Sequence, residues 1–274
     1  MTILPTKISL FEITGCKIVG FLKLQWMIFL LLVFIPDSTI AKSFNFSDWG
    51  ILLKKYIDSS TIDGIRLNTV NYRMLQSDPI FSQLVSDLES FLPSELQTHE
   101  EKLAFWINVY NVFAVKIVTD NYPLKSIKDI GGLFKSVWKH KAGVIGGKEY
   151  TLDEIEHEIL RKMEEPRVHF AIVCASVSCP DLAKEVFGPE RLNEQLNIQT
   201  KVFLTNPGKG MKVDAASKKI FLSSIFDWFK EDFGSRGGVL EFIHPYAATK
   251  DRQVLKHSSL RIFYIKYNWR LNGS

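Results

Sequence analysis

The chain has 274 residues, of which 46% are hydrophobic and 23% are charged, a composition typical of a globular protein with a sizeable core. The formal net charge is only +4, and the lysines form no basic stripe with interleaved aromatic residues. We therefore exclude nucleic acid as a partner.

The N-terminus has the order of a secretory signal. Lys17 and Lys23 precede an uncharged apolar run at residues 26–35, and the small residues Thr39 and Ala41 follow it. This run is well short of the roughly 20 apolar residues that cross a membrane. We expect residues 1–41 to be a cleaved signal peptide, the mature protein to be extracytoplasmic (periplasmic or secreted), and no stable membrane span to remain. A signal-anchored form is the alternative, because the leader before the apolar run is long.

Residues 42–95 are predicted to be the N-terminal helical part of the mature domain. Apolar spacing favours helices at residues 49–56 and 79–91. A capping box of Thr98 and Glu101 then opens the clearest helix of the chain. That helix begins the predicted core domain, which runs over residues 96–274.

A hairpin is expected at residues 144–150, turning on a pair of glycines. A second capping box, of Thr151 and Glu154, opens a helix that runs to about Met163. The apolar, β-branched run at residues 168–174 predicts a strand buried on both faces.

The remaining chain predicts helices at residues 180–186, 189–204 and 224–233, and strands at residues 219–222 and 261–271. No internal repeat or linker interrupts it. The pattern as a whole predicts an α+β fold in a single domain, mainly helical with a small mixed sheet.

Cys179 is the candidate nucleophile. Pro180 follows it, and proline is favoured at the first position of a helix, so the pattern predicts Cys179 at a helix N-cap. The helix dipole and free backbone amides would there lower the pKa of the thiol.

A thiolate nucleophile usually needs a base, and two histidines are candidates. His169 lies in the predicted strand and His157 in the helix before it, and the sequence does not choose between them. Asn108 or Glu156 would orient the base. Asn108 has a structural alternative, because a buried amide can tie down a neighbouring loop.

The cysteines carry competing interpretations. In an oxidising compartment Cys174 and Cys179 could form a structural disulfide in a non-catalytic binding domain. The same pair could serve a thiol redox protein, although four residues separate the two cysteines instead of the usual two. Their spacing with His169 matches no usual zinc pattern, and we expect neither a metal nor a cofactor.

Three stretches resemble the family named domain of unknown function 547. They are residues 102–111 (KLAFWINVYN), 152–161 (LDEIEHEILR) and 166–180 (PRVHFAIVCASVSCP), with a weaker echo at 267–272 (YNWRLN). The positions that match include Asn108, His157, His169, Cys174 and Cys179. The resemblance implies no general activity, since the family is one of unknown function.

The leading hypothesis is an exported cysteine-dependent hydrolase or acyl transferase that acts on amide or peptide bonds. Its substrate would be an unidentified small molecule or peptide.

Overall fold

The computed structural model describes residues 43–131 and 136–274, and the predicted signal peptide at residues 1–41 lies outside them. The α-helices of the described chain are α1 (Ser47–Tyr56), α2 (Tyr72–Gln76), α3 (Pro79–Ser90), α4 (His99–Asp120), α5 (Leu152–Glu154), α6 (Leu192–Leu204), α7 (Ile225–Trp228), α8 (Ser235–Ile243) and α9 (Arg252–Leu255).

The strands form two hairpins and one mixed sheet. They are β1 (Ile57–Ile62), β2 (Ile65–Val70), β3 (Lys141–Ile145), β4 (Lys148–Thr151), β5 (Met211–Asp214), β6 (Lys219–Leu222) and β7 (Arg261–Tyr264). In the three-stranded sheet β6 pairs antiparallel with β5 and parallel with β7. The fold is therefore a single-domain α+β fold with a small mixed sheet, as the sequence predicts.

Helix α4 is the centre of the larger of two hydrophobic cores. The predicted capping box is present, since the Thr98 hydroxyl accepts from the backbone of Glu101 and the Glu101 carboxylate accepts from that of Thr98. Apolar side chains surround the helix, and Ile107, Val112 and Phe113 are fully buried. Such a helix obtains most of its stability from packing on all sides.

The β3–β4 hairpin leads directly into the helix that bears part of the site. Its turn residues Gly146 and Gly147 have φ of +57° and +77°, a region that favours glycine. Thr151 and Glu154 then form the second predicted capping box. The helical segment continues past α5 with π-helical geometry over Ile155–Leu160 and 3₁₀ geometry over Arg161–Met163.

The predicted strand at residues 168–174 is wrong. Pro166–Phe170 is a 3₁₀ helix, and the chain then runs irregularly to Cys179. The side chain of Asn111 explains the difference, because it donates to the carbonyl of Ala171 and accepts from the N–H of Val173. These are the backbone groups that a neighbouring strand would use. Residues 168–173 are as buried as a central strand would be, which is why their sequence is equally apolar.

The predicted helix at residues 180–186 is also wrong, because these residues form no helix in the structure. Side chains occupy the carbonyls that a helix would use. Lys209 donates to the carbonyl of Cys179, Gln199 to that of Asp181 and Asn68 to that of Leu182. The buried Lys209 ammonium also pairs with the Asp181 carboxylate at 2.6 Å, which fixes this segment to the loop before β5.

The predicted closing strand is shorter than expected, because β7 ends at Tyr264. The rest of the C-terminal segment lies beside residues 174–179, here called the cysteine loop, where Leu271 forms an antiparallel bridge with Ser176. Gly273 forms a parallel bridge with Val70 at the end of β2. Among the described helices, none is long and apolar enough to cross a membrane.

Candidate active site

A cavity of about 320 Å³ lies between the two hydrophobic cores and brings most of the predicted site residues together. Glu156, His157, His169, Cys174 and Cys179 all line it. Glu156 and His157 come from the helical segment at residues 152–163, and the other three residues come from the segment after it. The volume is at the lower end of the range for small-molecule sites.

The cysteine loop is held in a strained conformation by the C-terminal segment. Ala175, directly after Cys174, has φ of +56°, which is costly for a residue with a Cβ. Its carbonyl accepts from the N–H of Asn272, and the N–H groups of Val177 and Ser178 donate to carbonyls of the same segment. These bonds fix the loop between Cys174 and Cys179.

Cys174 has the environment of a stabilised thiolate. Its sulfur lies 3.1 Å from the Ser176 hydroxyl and 3.2 Å from the Tyr267 hydroxyl, and the side chain of Cys179 is its neighbour. Burial raises the pKa of Cys174, but these hydrogen bonds outweigh burial and lower the pKa to about 7. Cys174 is also the more accessible of the two thiols, being only partly buried.

Cys179 has the opposite character. It is 3% exposed, and its sulfur accepts a hydrogen bond from the backbone N–H of Cys174 at 2.8 Å. Burial, followed by the neighbouring Cys174, raises the pKa of its thiol well above the usual value. The expected N-cap position is absent together with the helix, so no helix dipole lowers this pKa. The physical reason for choosing Cys179 as the reactive thiol was therefore wrong.

The structure does not support the expected Cys174–Cys179 disulfide, because both cysteines are free. The two residues instead interact through the hydrogen bond from the backbone N–H of Cys174 to the Cys179 sulfur. The alternative of a binding domain stapled by a disulfide loses its main support.

Glu156 lies in the π-helical part of the mixed helix. π-helical turns are rare and are often found at functional sites. The carboxyl group is buried and accepts a hydrogen bond from Tyr110 at 3.1 Å. Burial raises the pKa of Glu156 to about 7, although the Tyr110 bond opposes this, and the charge of Cys174 raises it further. Glu156 is thus poised between its two protonation states near neutral pH.

The histidines belong to a chain of polar contacts that runs along one side of the cavity. His157 Nδ1 lies 2.8 Å from an Arg161 nitrogen, and Arg161 forms a two-pronged ion pair with Asp232 at 2.6 and 2.7 Å. The same carboxylate lies 2.7 Å from His169 Nε2. Burial opposes ionisation of Asp232, but the bonds from Arg161 and His169 lower its pKa.

The contacts assign a proton to each ring. Arginine can only donate, so His157 Nδ1 accepts from Arg161, and the proton of the neutral ring lies on Nε2. The ionised Asp232 accepts from His169 Nε2, which leaves Nδ1 as the acceptor atom of that ring. Burial lowers the pKa of both rings, that of His169 to about 4. Both histidines are therefore neutral near pH 7.

Asn108 lies elsewhere. Its amide donates to the carbonyl of Phe187 at 2.8 Å and accepts from the N–H of the same residue at 3.1 Å. It does not line the cavity of the cysteines and histidines. These contacts correspond to the structural alternative, in which the amide ties down a loop.

Sequence reasoning missed four polar residues of the site. Tyr110 is one turn from Trp106 on α4, and Arg161 closes the family motif at residues 152–161. Tyr267 opens the weak C-terminal motif at residues 267–272, which could have drawn attention to it. Asp232, in the 3₁₀ helix Lys230–Phe233, carries no local signal. No group of three or more His, Cys, Asp or Glu side chains in the described residues is arranged to hold a metal ion.

The fold and the cavity define an α+β protein with a paired-thiol site. Residues 93–204 match the sequence model of a family described as "Protein of unknown function, DUF547", which confirms the resemblance seen in the motifs. The matched range contains Asn108, Glu156, His157 and both cysteines of the site, whereas Asp232 and Tyr267 lie beyond it. No curated protein and no solved structure matches the chain.

Proposed function

We propose that the protein is an exported cysteine-dependent hydrolase or acyl transferase acting on amide or peptide bonds, with Cys174 as its nucleophile. One observation carries the proposal. The Cys174 sulfur contacts the Ser176 and Tyr267 hydroxyls at 3.1 and 3.2 Å, at the wall of a cavity that also holds an ionisable carboxyl group. A thiol with a pKa of about 7 is substantially ionised at neutral pH, as a thiol nucleophile must be.

Cys174 is preferred to Cys179 for two reasons. The Ser176 and Tyr267 hydroxyls lie 3.1 and 3.2 Å from the Cys174 sulfur, and hydrogen bonding by the neighbouring side chains lowers the pKa of its thiol. The sulfur of Cys179 is buried and is already occupied by the backbone N–H of Cys174. Cys179 therefore supports the nucleophile and does not itself attack.

The strain in the cysteine loop favours a functional role. A positive φ at a residue other than glycine persists only where the surrounding structure enforces it, and such residues cluster at active sites. Here Asn272 holds the carbonyl of Ala175 in place. This restraint keeps the Cys174 sulfur pointed at its donors.

The reaction proceeds in two steps. The Cys174 thiolate attacks the carbonyl carbon, a C–S bond forms, and the C–N bond breaks as the leaving amine takes up a proton. The product is a thioester on Cys174. Water, or an acceptor amine in the transferase case, then attacks the thioester after losing a proton, and Cys174 leaves again as the thiolate.

Glu156 carries the proton in this mechanism. Its pKa of about 7 allows the protonated form to protonate the leaving amine and the ionised form to accept the proton of the second nucleophile. Glu156 and Cys174 line the same cavity, and the charge of Cys174 raises the pKa of Glu156. The proton acceptor atom of His157 is occupied by Arg161, and His169 is too weak a base near pH 7. The two rings instead form a fixed neutral wall.

Export is proposed from the charge and hydropathy order of residues 17–41, which no structural observation tests. The thiol redox role stays a prediction as well. It differs from acyl transfer in its covalent product, which is a disulfide and not a thioester.

The proposal is tested with p-nitrophenyl acetate, a generic acyl donor. We expect a single acetyl group on Cys174 in peptide mapping, release of more than one equivalent of nitrophenolate per chain, and loss of both in Cys174→Ser. The Cys179→Ala variant should still be acetylated. Acetylation of Cys179, or a Cys174 that remains unacetylated in the folded protein, would overturn the proposal.

A further inference from the structure

Four aromatic side chains form a continuous wall of the same cavity, here called the aromatic wall: Trp138, Trp228, Tyr267 and Trp269. Trp269 is at its centre, with ring centroids 4.5 Å from Tyr267 and 5.7 Å from each of the two other tryptophans. Trp228 is 48% exposed although it is one of the largest side chains in the chain. An exposed indole at the wall of a cavity offers a ring face to a ligand.

The charged side chains among the described lining residues are acidic. Asp153 and Glu156 line the cavity, together with the thiolate of Cys174. The other titratable groups of this described lining, apart from tyrosines and Cys179, are His157 and His169, and burial keeps both neutral near pH 7. In the described part of the chain no lysine or arginine lines this cavity. Its field therefore favours a cation and repels an anion.

The aromatic wall already holds one ammonium group from the protein itself. The Nζ atom of Lys128 lies 4.6 Å from the ring centroid of Trp269, within the range of a cation–π contact. Lys128 does not line the cavity, so it is not part of the surface that a ligand would meet.

We propose that the cavity takes an acyl substrate that bears an ammonium group, with the ammonium held against the aromatic wall in the field of Asp153 and Glu156. This substrate class rests on the proposed function of Cys174, which supplies the acyl chemistry. Aromatic rings attract a cation through their negative faces, and the attraction is greatest where the cation is shielded from water. A volume of about 320 Å³ restricts the bound part to a small group, such as one or two amino-acid residues.

Choline is the probe for the cation, and 3,3-dimethyl-1-butanol is its uncharged isostere. Binding is followed through the indole N–H signals of the intact chain in ¹H–¹⁵N NMR spectra. We expect choline to shift the signals of Trp138, Trp228 and Trp269. The signals of Trp49 and Trp106, which are buried and do not line the cavity, should stay unchanged. The affinity for the alcohol should be about tenfold lower, the ratio that a shielded cation–π contact gives.

Two variants locate the site. Trp228→Leu should weaken choline binding about tenfold, because it removes the most exposed ring of the wall. Tyr264→Leu, which removes an equally exposed aromatic residue of β7 outside the cavity, should leave the affinity unchanged. Asp153→Asn should also weaken binding, and added salt should reduce the difference between that variant and the parent protein.

The two proposals fail separately in these experiments. Cys174→Ser should still bind choline, so a protein that binds choline but forms no thioester would contradict the nucleophile alone. Equal affinity for choline and the alcohol, or the absence of any shift in the three wall indoles, would overturn the ammonium proposal even if Cys174 is acetylated.

Discussion

The backbone N–H of Cys174 donates a hydrogen bond to Sγ of Cys179 at 2.8 Å. The two neighbouring thiols are nevertheless unequal, because the pKa of Cys174 is lowered to about 7 and that of Cys179 is raised. One sulfur collects donors and is easily ionised, whereas the other remains protonated in a buried position.

Tyr267→Phe removes one donor from the Cys174 thiolate. A hydrogen bond to a charged group contributes about 1.5 kcal/mol or more, so the pKa of Cys174 should rise by about one unit. Iodoacetamide should then alkylate Cys174 roughly tenfold more slowly below pH 7. Tyr264→Phe is the matched control, because Tyr264 lies on β7 away from the cavity. An unchanged rate in Tyr267→Phe would show that the phenol does not stabilise the thiolate.

Glu156→Gln should change the pH dependence of stability. The folded carboxyl has a raised pKa of about 7, whereas the unfolded group ionises near its usual 4.5. The parent protein thus has its full stability below pH 4.5 and loses part of it as the pH rises through 7. Since glutamine does not ionise, the variant should gain about 3 kcal/mol over the parent between pH 4.5 and pH 8.

Urea unfolding at the two pH values measures this gain. Glu158→Gln is the control in the same helix, since that exposed carboxyl pairs with Lys162 and its pKa is lowered instead. If Glu156→Gln and the parent protein respond to pH alike, Glu156 is not a carboxyl with a raised pKa and cannot carry the proton at neutral pH.

Asp232→Asn should destabilise the protein and perturb His169. The substitution leaves the Arg161 guanidinium without its charged partner and weakens the bond to His169 Nε2, at a cost of about 2–3 kcal/mol. The pKa of His169, already lowered by burial, should fall further, because Asp232 raises it in the parent protein. Thermal unfolding and an NMR titration of the ring measure the two effects. Glu231→Gln, at the exposed neighbouring position, should change neither the stability nor the pKa of His169.

Asn108→Ala separates a structural role from a catalytic one. The variant loses both bonds to the backbone of Phe187 and leaves buried groups without partners, which should cost about 2–4 kcal/mol. The alkylation rate of Cys174 in the folded variant should stay the same. Asn197→Ala, at an exposed position on α6, should cost far less. A slower reaction of Cys174 in Asn108→Ala would restore the orienting role that the sequence suggested.

The elements that the sequence predicts well are those fixed by neighbouring residues. Both capping boxes are local, since their partners are three residues apart, and the β3–β4 turn depends on two adjacent glycines. The helix and hairpin they define are confirmed.

The segment at residues 168–186 fails for the opposite reason. Its conformation is decided by Asn111, which is 60 residues from its partner Ala171, and by Lys209, which is 30 residues from Cys179. A buried irregular segment and a central strand have the same apolar composition, so periodicity cannot separate them. Pro180 predicts a helix after Cys179, but the segment that follows this proline is irregular.

The site was located more successfully than it was interpreted. Residue chemistry alone selected both histidines, both cysteines and Glu156, and the structure brings these together at one cavity. The choice between the two thiols depended on Tyr267, which is 93 residues from Cys174. No local pattern gives a donor at that separation.

The most direct test of Cys174 as the reactive thiol is the pH dependence of its alkylation. The folded protein is treated with iodoacetamide between pH 5 and pH 9, and each cysteine is quantified by peptide mapping. We predict that the rate for Cys174 rises with a midpoint near pH 7 while Cys179 stays unmodified throughout this range. Faster modification of Cys179, or a midpoint for Cys174 near the ordinary thiol value of 9, would contradict Cys174 as the nucleophile.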